Sequence, residues 1–129
     1  MTDFGSNKKE RKMPYTIEEE KTYEVSAEQL QNAILGAVKG LEGEVLKTDA
    51  ETGRIEAKFP KTILGNVLGD RTQMELNLES TSASETKMAL KIYPINPVGQ
   101  VLQFGARKGV PRKVMTWFFA HTEHRLKSE

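Results

Sequence analysis

The sequence predicts an α+β fold: a two-layer sandwich in which an antiparallel sheet of about five strands carries two helices on one face, in the order β-α-β-β-β-β-α. Three observations predict it. Residues 54–59, 72–79 and 86–93 alternate apolar and polar with period two, which sets Ile55, Ala57 and Phe59, then Met74, Leu76 and Leu78, then Met88, Leu90 and Ile92 on one side of a meander. From Leu30 to Leu41 the apolar residues recur at helical spacing. Val110 and Pro111 announce a second helix near the C-terminus, because proline fits the first helical turn.

Each element has its own signal. A first strand is expected over residues 22–25, starting as early as Thr16. Ser26 with Gln29 three residues on makes a capping box, and Val25 before the cap can staple onto Leu30. The helix that follows stacks Leu30, Ala33, Ile34, Ala37, Val38 and Leu41 in one stripe, and Gly40 and Gly43 are expected to end it. Residues 44–48 give the next strand. Asp49 to Gly53 makes a hairpin turn, with an Asp that bonds forward to amides and a Gly that takes positive φ. The small polar run Ser80 to Ser84 makes the second hairpin. The closing helix should reach Leu126, with Val114, Trp117, Phe118 and His121 on its packed stripe. Phe119 lies off that stripe and widens a buried face, lines a cavity or meets a second subunit.

With 129 residues and 37% hydrophobic content the chain suits one domain with a real core, expected over residues 14–127. Residues 1–13 are polar and basic and read as a disordered tail, a solubiliser or a weak electrostatic arm. Cysteine is absent, so disulfides, thiolate nucleophiles and Cys-ligated zinc are excluded. The polar start lacks the apolar stretch of a secretory signal, and no apolar run is long enough to span a bilayer; the cytoplasm is the expected location. The net charge of +1 hides an asymmetry. Residues 14–56 hold ten acidic and four basic residues, whereas residues 105–127 hold six basic residues and one acidic. Such polarity can orient a protein toward an anionic partner.

The candidate site follows from the topology. Consecutive antiparallel strands bring the end of 54–59, the start of 72–79 and the end of 86–93 to one edge of the sheet. The links leaving that edge, residues 60–70 and 94–110, are unusually apolar for loops. They carry Ile63, Leu64, Val67 and Leu68 in the first and Ile95, Val98, Val101, Leu102 and Phe104 in the second. Lys61, Arg71, Arg107, Lys108, Arg112 and Lys113 lie nearby as a basic rim. Lys and Arg at a helix N-terminus oppose its dipole, costing about 0.3 to 1 kcal/mol per charge, which an anion relieves. The expected ligand-binding residues are therefore Ile63, Leu64, Val67, Leu68, Val101, Leu102, Phe104, Arg71, Arg107, Lys108, Arg112 and Lys113. They would serve a non-enzymatic binding module for a lipid, an apolar small molecule or an anionic membrane surface. The competing structural reading folds these loops inward as a plug for the core. The alternative function is protein-protein interaction, as a homodimer or an accessory domain.

Other chemistries have weaker support. His121 and His124 could share a metal, but one pair without a third ligand makes no site, so no metal is expected. Asp70 beside Arg71 could act as an acid-base pair at a cavity mouth, yet adjacent opposite charges are common on loops. Neither a nucleophile elbow nor a phosphate or dinucleotide loop occurs, so no cofactor is expected and no catalytic residue is assigned. Nucleic acid ranks below lipid and protein as a partner, because the sheet offers few aromatic residues for base stacking.

From SAEQLQNAILGAVKGLEGEVLKTDAETGRIEAKFPKT through GDRTQMELNLE to FGARKGVPRKVMTWF, the chain resembles a group of small uncharacterised bacterial α+β domains. The resemblance covers residues 22–126 and rests on the helix, the D-x-x-T/S-G-R-I-E-A hairpin and the terminal glycine-then-helix segment. What it implies is structural: Ser26 as cap, Asp49 and Gly53 as turn, Ile55 and Ala57 as core. The group's loops carry a Trp before the glycine, where this chain has Leu68 before Gly69 and Phe104 before Gly105. No activity comes with the resemblance. A looser similarity to helix-grip lipid-binding and cyclase-like folds, which are longer, concerns the fold alone.

Overall fold

The structure is a computed structural model that describes residues 15–127, so the expected tail at residues 1–13 lies outside the described residues. Strand β1 (Ile17–Tyr23) leads into helix α1 (Ala27–Gly40), then β2 (Glu44–Asp49) and β3 (Arg54–Phe59). A short hairpin of β4 (Thr62–Ile63) and β5 (Asn66–Val67) precedes the long strands β6 (Arg71–Ser82) and β7 (Glu85–Ile95), and helix α2 (Val110–Lys127) closes the chain. The five-stranded antiparallel sheet has the order β1-β7-β6-β3-β2. All nine expected inward residues of the meander are buried. They form one core with Leu30, Ile34, Ala37, Val38 and Leu41 of α1 and Val110, Val114, Met115 and Phe118 of α2.

Helix α1 starts as expected: Ser26 is extended, and its Oγ accepts the Gln29 amide at 3.1 Å. It ends at Gly40 as expected, but by a different device. Gly40 and Gly43 do not supply the left-handed residue; Glu42 does, with φ 66. The Glu42 amide donates to the Lys39 carbonyl (2.9 Å) and the Gly43 amide to the Val38 carbonyl (2.8 Å), the bond pattern of a Schellman terminus. Gly43 is needed for space instead, because a Cβ there would lie 2.7 Å from the Phe59 ring. Gly40 faces α2, where His121 and Arg125 pack over it.

β1 ends earlier and begins earlier than residues 22–25. Its period-two signal is hidden because the inward positions opposite Leu90 and Met88 hold Glu19 and Lys21. Inward-pointing charge on an edge strand discourages pairing with another chain. Lys21 is satisfied across the sheet by α2: its Nζ lies 2.7 Å from Glu123 Oε2 and 4.2 Å from the centroid of the Phe119 ring. Phe119, hard to place from sequence, is thus half-buried beneath Lys21 and beside Phe118. Tyr23 Oη donates to the same Glu123 oxygen at 2.7 Å.

The turns follow their residues. Asp49 Oδ1 accepts the Glu51 and Thr52 amides at 3.0 and 3.4 Å, and Gly53 takes φ 75. The second hairpin is tighter than the serine run suggests, since β6 and β7 pair as far as Ser82 and Glu85 across a register shift after Ser80. On the outer face Arg54 bonds Glu56 and Glu75, both at 3.0 Å, while Tyr93 Oη donates to Glu75 at 2.5 Å. Burial, then the bond to Glu75, raises the Tyr93 phenol well above its usual range.

Candidate functional site

The register confirms the shared edge. Phe59 at the end of β3 pairs with Thr72, Thr72 with Pro94, and Arg71 with Ile95. Both apolar links leave here, and Asp70 ties them together. Its buried carboxylate accepts the Arg107 backbone amide at 2.6 Å and lies 3.3 Å from Arg107 Nη1. The Asp70–Arg71 pair considered from sequence is therefore corrected: Asp70 precedes β6 and its carboxylate is engaged by Arg107, while Arg71 begins the strand.

The links neither plug the core nor stand wholly free. In the first, β4 and β5 form a hairpin that turns through Leu64 (φ 50) and Gly65 (φ 84). Two positive φ values in succession define the turn whose twist matches paired strands. Alternation across this hairpin buries Ile63 completely and exposes Leu64 (53%) and Val67 (80%); Leu68 (8%) returns to the core. The Lys61 carbonyl closes the loop by accepting the amides of Leu68 (2.8 Å) and Gly69 (3.1 Å).

In the second link Ile95 bridges Val101, and Asn96 Oδ1 accepts the amides of Val98 (3.0 Å) and Gln100 (2.9 Å). That arrangement holds the tip around Pro97, Val98 and Gly99, with Val98 exposed (78%). Val101 and Leu102 are half-buried and Phe104 is exposed (80%). Of the expected basic residues, Arg107, Lys108, Arg112 and Lys113 are exposed and Arg71 is half-buried. The first turn of α2 holds Arg112 and Lys113 and no acidic residue.

A cleft of about 300 Å³ lies at the same end, between the turn after α1 and the tip at residues 97–99. Ile95 and Phe59 line it together with four charged residues, Glu42, Glu44, Lys58 and Arg71. Glu44 pairs with Lys58 at 3.7 Å. Glu42 Oε1 accepts the Leu64 amide at 2.9 Å, which joins the cleft to the first hairpin. Sequence reasoning missed Glu42, Glu44 and Lys58, because only the fold brings the α1 terminus to this edge. The one available signal was a glutamate filling the slot after a helix where glycine is usual.

Other chemistry is sparse among the described residues. No group of three or more His, Cys, Asp or Glu could hold a metal ion. No helix is long and apolar enough to cross a membrane. The hydroxyls of Thr72 on β6 and Thr122 on α2 are fully buried without a hydrogen-bond partner.

No protein-family model and no curated protein matches the chain. Solved structures share its fold at low identity. The di-domain ARO/CYC StfQ of the steffimycin biosynthetic pathway is 8% identical with a TM-score of 0.58, over 87% of this chain; the chain spans 45% of that protein's length. A conserved protein from Geobacillus kaustophilus is 9% identical over 88% of this chain and 95% of its own, with a TM-score of 0.57. Protein MLL2253 from Mesorhizobium loti is 14% identical over 88% and 97%, with a TM-score of 0.56. The chain thus has a helix-grip-like α+β fold, in which an antiparallel sheet packs on a C-terminal helix.

Proposed function

We propose that the chain is a non-enzymatic binding module that docks its loop end on an anionic lipid surface. The observation that carries this reading is the separation of side chains within each link: some anchor the loops, and others are left facing water. Ile63 and Leu68 are spent on the core, while Leu64, Val67, Val98 and Phe104 stay exposed on backbone held by hairpin bonds and an Asn96 side chain. Preformed tips lower the ordering cost of binding. Each such side chain buried in lipid contributes about 1.5 to 3 kcal/mol. Each basic residue near an anionic surface adds about 1 kcal/mol, and Lys108, Arg112 and Lys113 are exposed beside the second link. The apolar share is the larger, but association itself costs about 4 to 15 kcal/mol, so the electrostatic share decides whether binding is measurable and makes it dependent on both anionic lipid and salt.

The test is co-sedimentation with phosphatidylglycerol-rich and with phosphatidylcholine vesicles at low and high salt. Binding confined to anionic vesicles and weakened by salt supports the reading, and equal binding to both or to neither contradicts it.

A second reading, an enclosed apolar ligand between the sheet and α2, is favoured by the buried and unpartnered hydroxyls of Thr72 and Thr122. A ligand's polar group could satisfy them. Similarity of fold to an ARO/CYC protein of a biosynthetic pathway agrees with a small-molecule role and carries no specificity. Saturable uptake of an apolar fluorophore that Thr72→Val or Thr122→Val alters, without vesicle binding, would shift the assignment to this reading.

A further inference from the structure

We propose that the cleft over Arg71 binds a small zwitterion, with an anionic phosphate on the Arg71 guanidinium and an ammonium on the Glu42 carboxylate. Glu44, Lys58, Arg71 and Ile95, the outward residues of their strands, line the cleft together with the core residue Phe59 and with Glu42 from the turn after α1.

Its charges are arranged unusually. Two are used up on each other, Glu44 and Lys58 at 3.7 Å. The other two are not. Arg71 and Glu42 line the same cleft, yet the Arg71 side chain makes neither an ion pair nor a hydrogen bond among the described residues. The Arg71 charge is thus left for a ligand, and Glu42 keeps one carboxylate oxygen beyond its bond to the Leu64 amide. Glu42 is fixed by its left-handed conformation at the helix terminus and by the Leu64 amide on Oε1. The Arg71 backbone is held as the first residue of β6, paired with Ile95. Non-glycine residues in left-handed backbone concentrate at sites where strain is retained for function.

The ligand class follows from charge and size. A lone anion would meet Glu42 and Glu44, and a lone cation would meet Arg71 and Lys58; a molecule carrying both signs meets a partner for each. A volume of about 300 Å³ is at the small end of ligand clefts and admits a head group rather than an acyl chain. Phosphate joined to a primary amine by a short linker fits, whether free or as a phospholipid head group. The inference goes beyond the membrane reading, because its ligand carries both charges where that reading needs net anionic lipid, and it is tested apart from it.

The experiment is an NMR titration of the ¹⁵N-labelled full chain with O-phosphoethanolamine, inorganic phosphate and ethanolamine. Saturable shifts at the amides of Glu42, Arg71 and Val98 with phosphoethanolamine are expected, with phosphate and ethanolamine alone at least tenfold weaker. Arg71→Met and Glu42→Gln, which keeps an acceptor for the Leu64 amide, should each weaken binding tenfold or more at unchanged melting temperature. Equal binding of phosphate alone, variants that titrate like the parent, or no saturable shift would overturn the proposal. Bicelles containing phosphatidylethanolamine that move the same amides assign the ligand to a lipid; shifts with the soluble ester alone assign it to a free metabolite. Soluble binding that persists without any vesicle binding defeats the membrane reading and leaves this one standing. Vesicle binding without soluble binding does the reverse.

Discussion

Leu64 and Glu42 are the two non-glycine residues with positive φ among the described residues, and they are bonded to each other: the Leu64 amide donates to Glu42 Oε1 at 2.9 Å. One ends a helix where glycine is usual, and the other sits in a two-residue turn where glycine or asparagine is usual. Left-handed backbone costs an L-residue about 1 to 2 kcal/mol. The chain bears that cost twice at one place, at the edge where its exposed apolar tips gather.

Replacing Leu64 with Gly or Asn removes the strain and the exposed apolar side chain together. Stability should hold or rise by up to about 1 kcal/mol, read from urea denaturation. Vesicle binding should fall at the same time. A variant that loses stability would show that the Leu64 side chain packs rather than projects.

Leu68 and Phe104 each stand beside a glycine in an apolar loop, and the structure separates them. Leu68→Ser opens a core site and should cost about 2 to 5 kcal/mol. Phe104→Ser, at a position 80% exposed, should stay within about 0.5 kcal/mol of the parent. Thermal melts of the two single variants decide the matter, since a shared effect would mean that both loops plug the core or that neither does.

Gly53→Ala meets both conformation and crowding. Its φ of 75 disfavours a side chain, and the added Cβ would lie 2.1 Å from the Leu78 carbonyl oxygen, which belongs to the β6 backbone. A loss of about 1 to 3 kcal/mol in chemical denaturation is expected.

The β1 to α2 latch sets a pH dependence. At Glu123 burial pushes the carboxyl up, but hydrogen bonds from Lys21 and Tyr23 outweigh it and hold it below its ordinary 4.5. Its share of stability is present above that value and is lost as the pH falls through the lowered one. Burial, then the bond to Glu123, raises the Tyr23 phenol above its ordinary 10.0. That share is full below pH 10 and is lost as the pH rises toward the raised value. Tyr23→Phe should cost about 1 kcal/mol at neutral pH and flatten the alkaline limb of a stability-pH profile. An unchanged alkaline limb would count against the latch.

The meander was legible because Ile55, Met74, Leu90 and their neighbours alternate cleanly over one buried face. β1 was not, since Glu19 and Lys21 occupy its inward positions and Lys21 finds its partners only on α2. At the site, the convergence of two apolar links could be read from strand order. Which residues turn inward could not. That choice rests on a hairpin through Leu64 and Gly65, whose sequence lacks the Asn-Gly or Asp-Gly signal of such turns. The Asp70 to Arg107 tie and the charges around Arg71 join segments far apart in sequence, which no local pattern records.

The most direct measurement compares the parent with a Val67→Ser, Val98→Ser, Phe104→Ser variant in co-sedimentation with phosphatidylglycerol-rich vesicles. Equal melting temperatures with binding reduced tenfold or more are the predicted result. Undiminished binding by a folded variant would contradict the account, because the tips would then contribute nothing to the surface they are held out to meet.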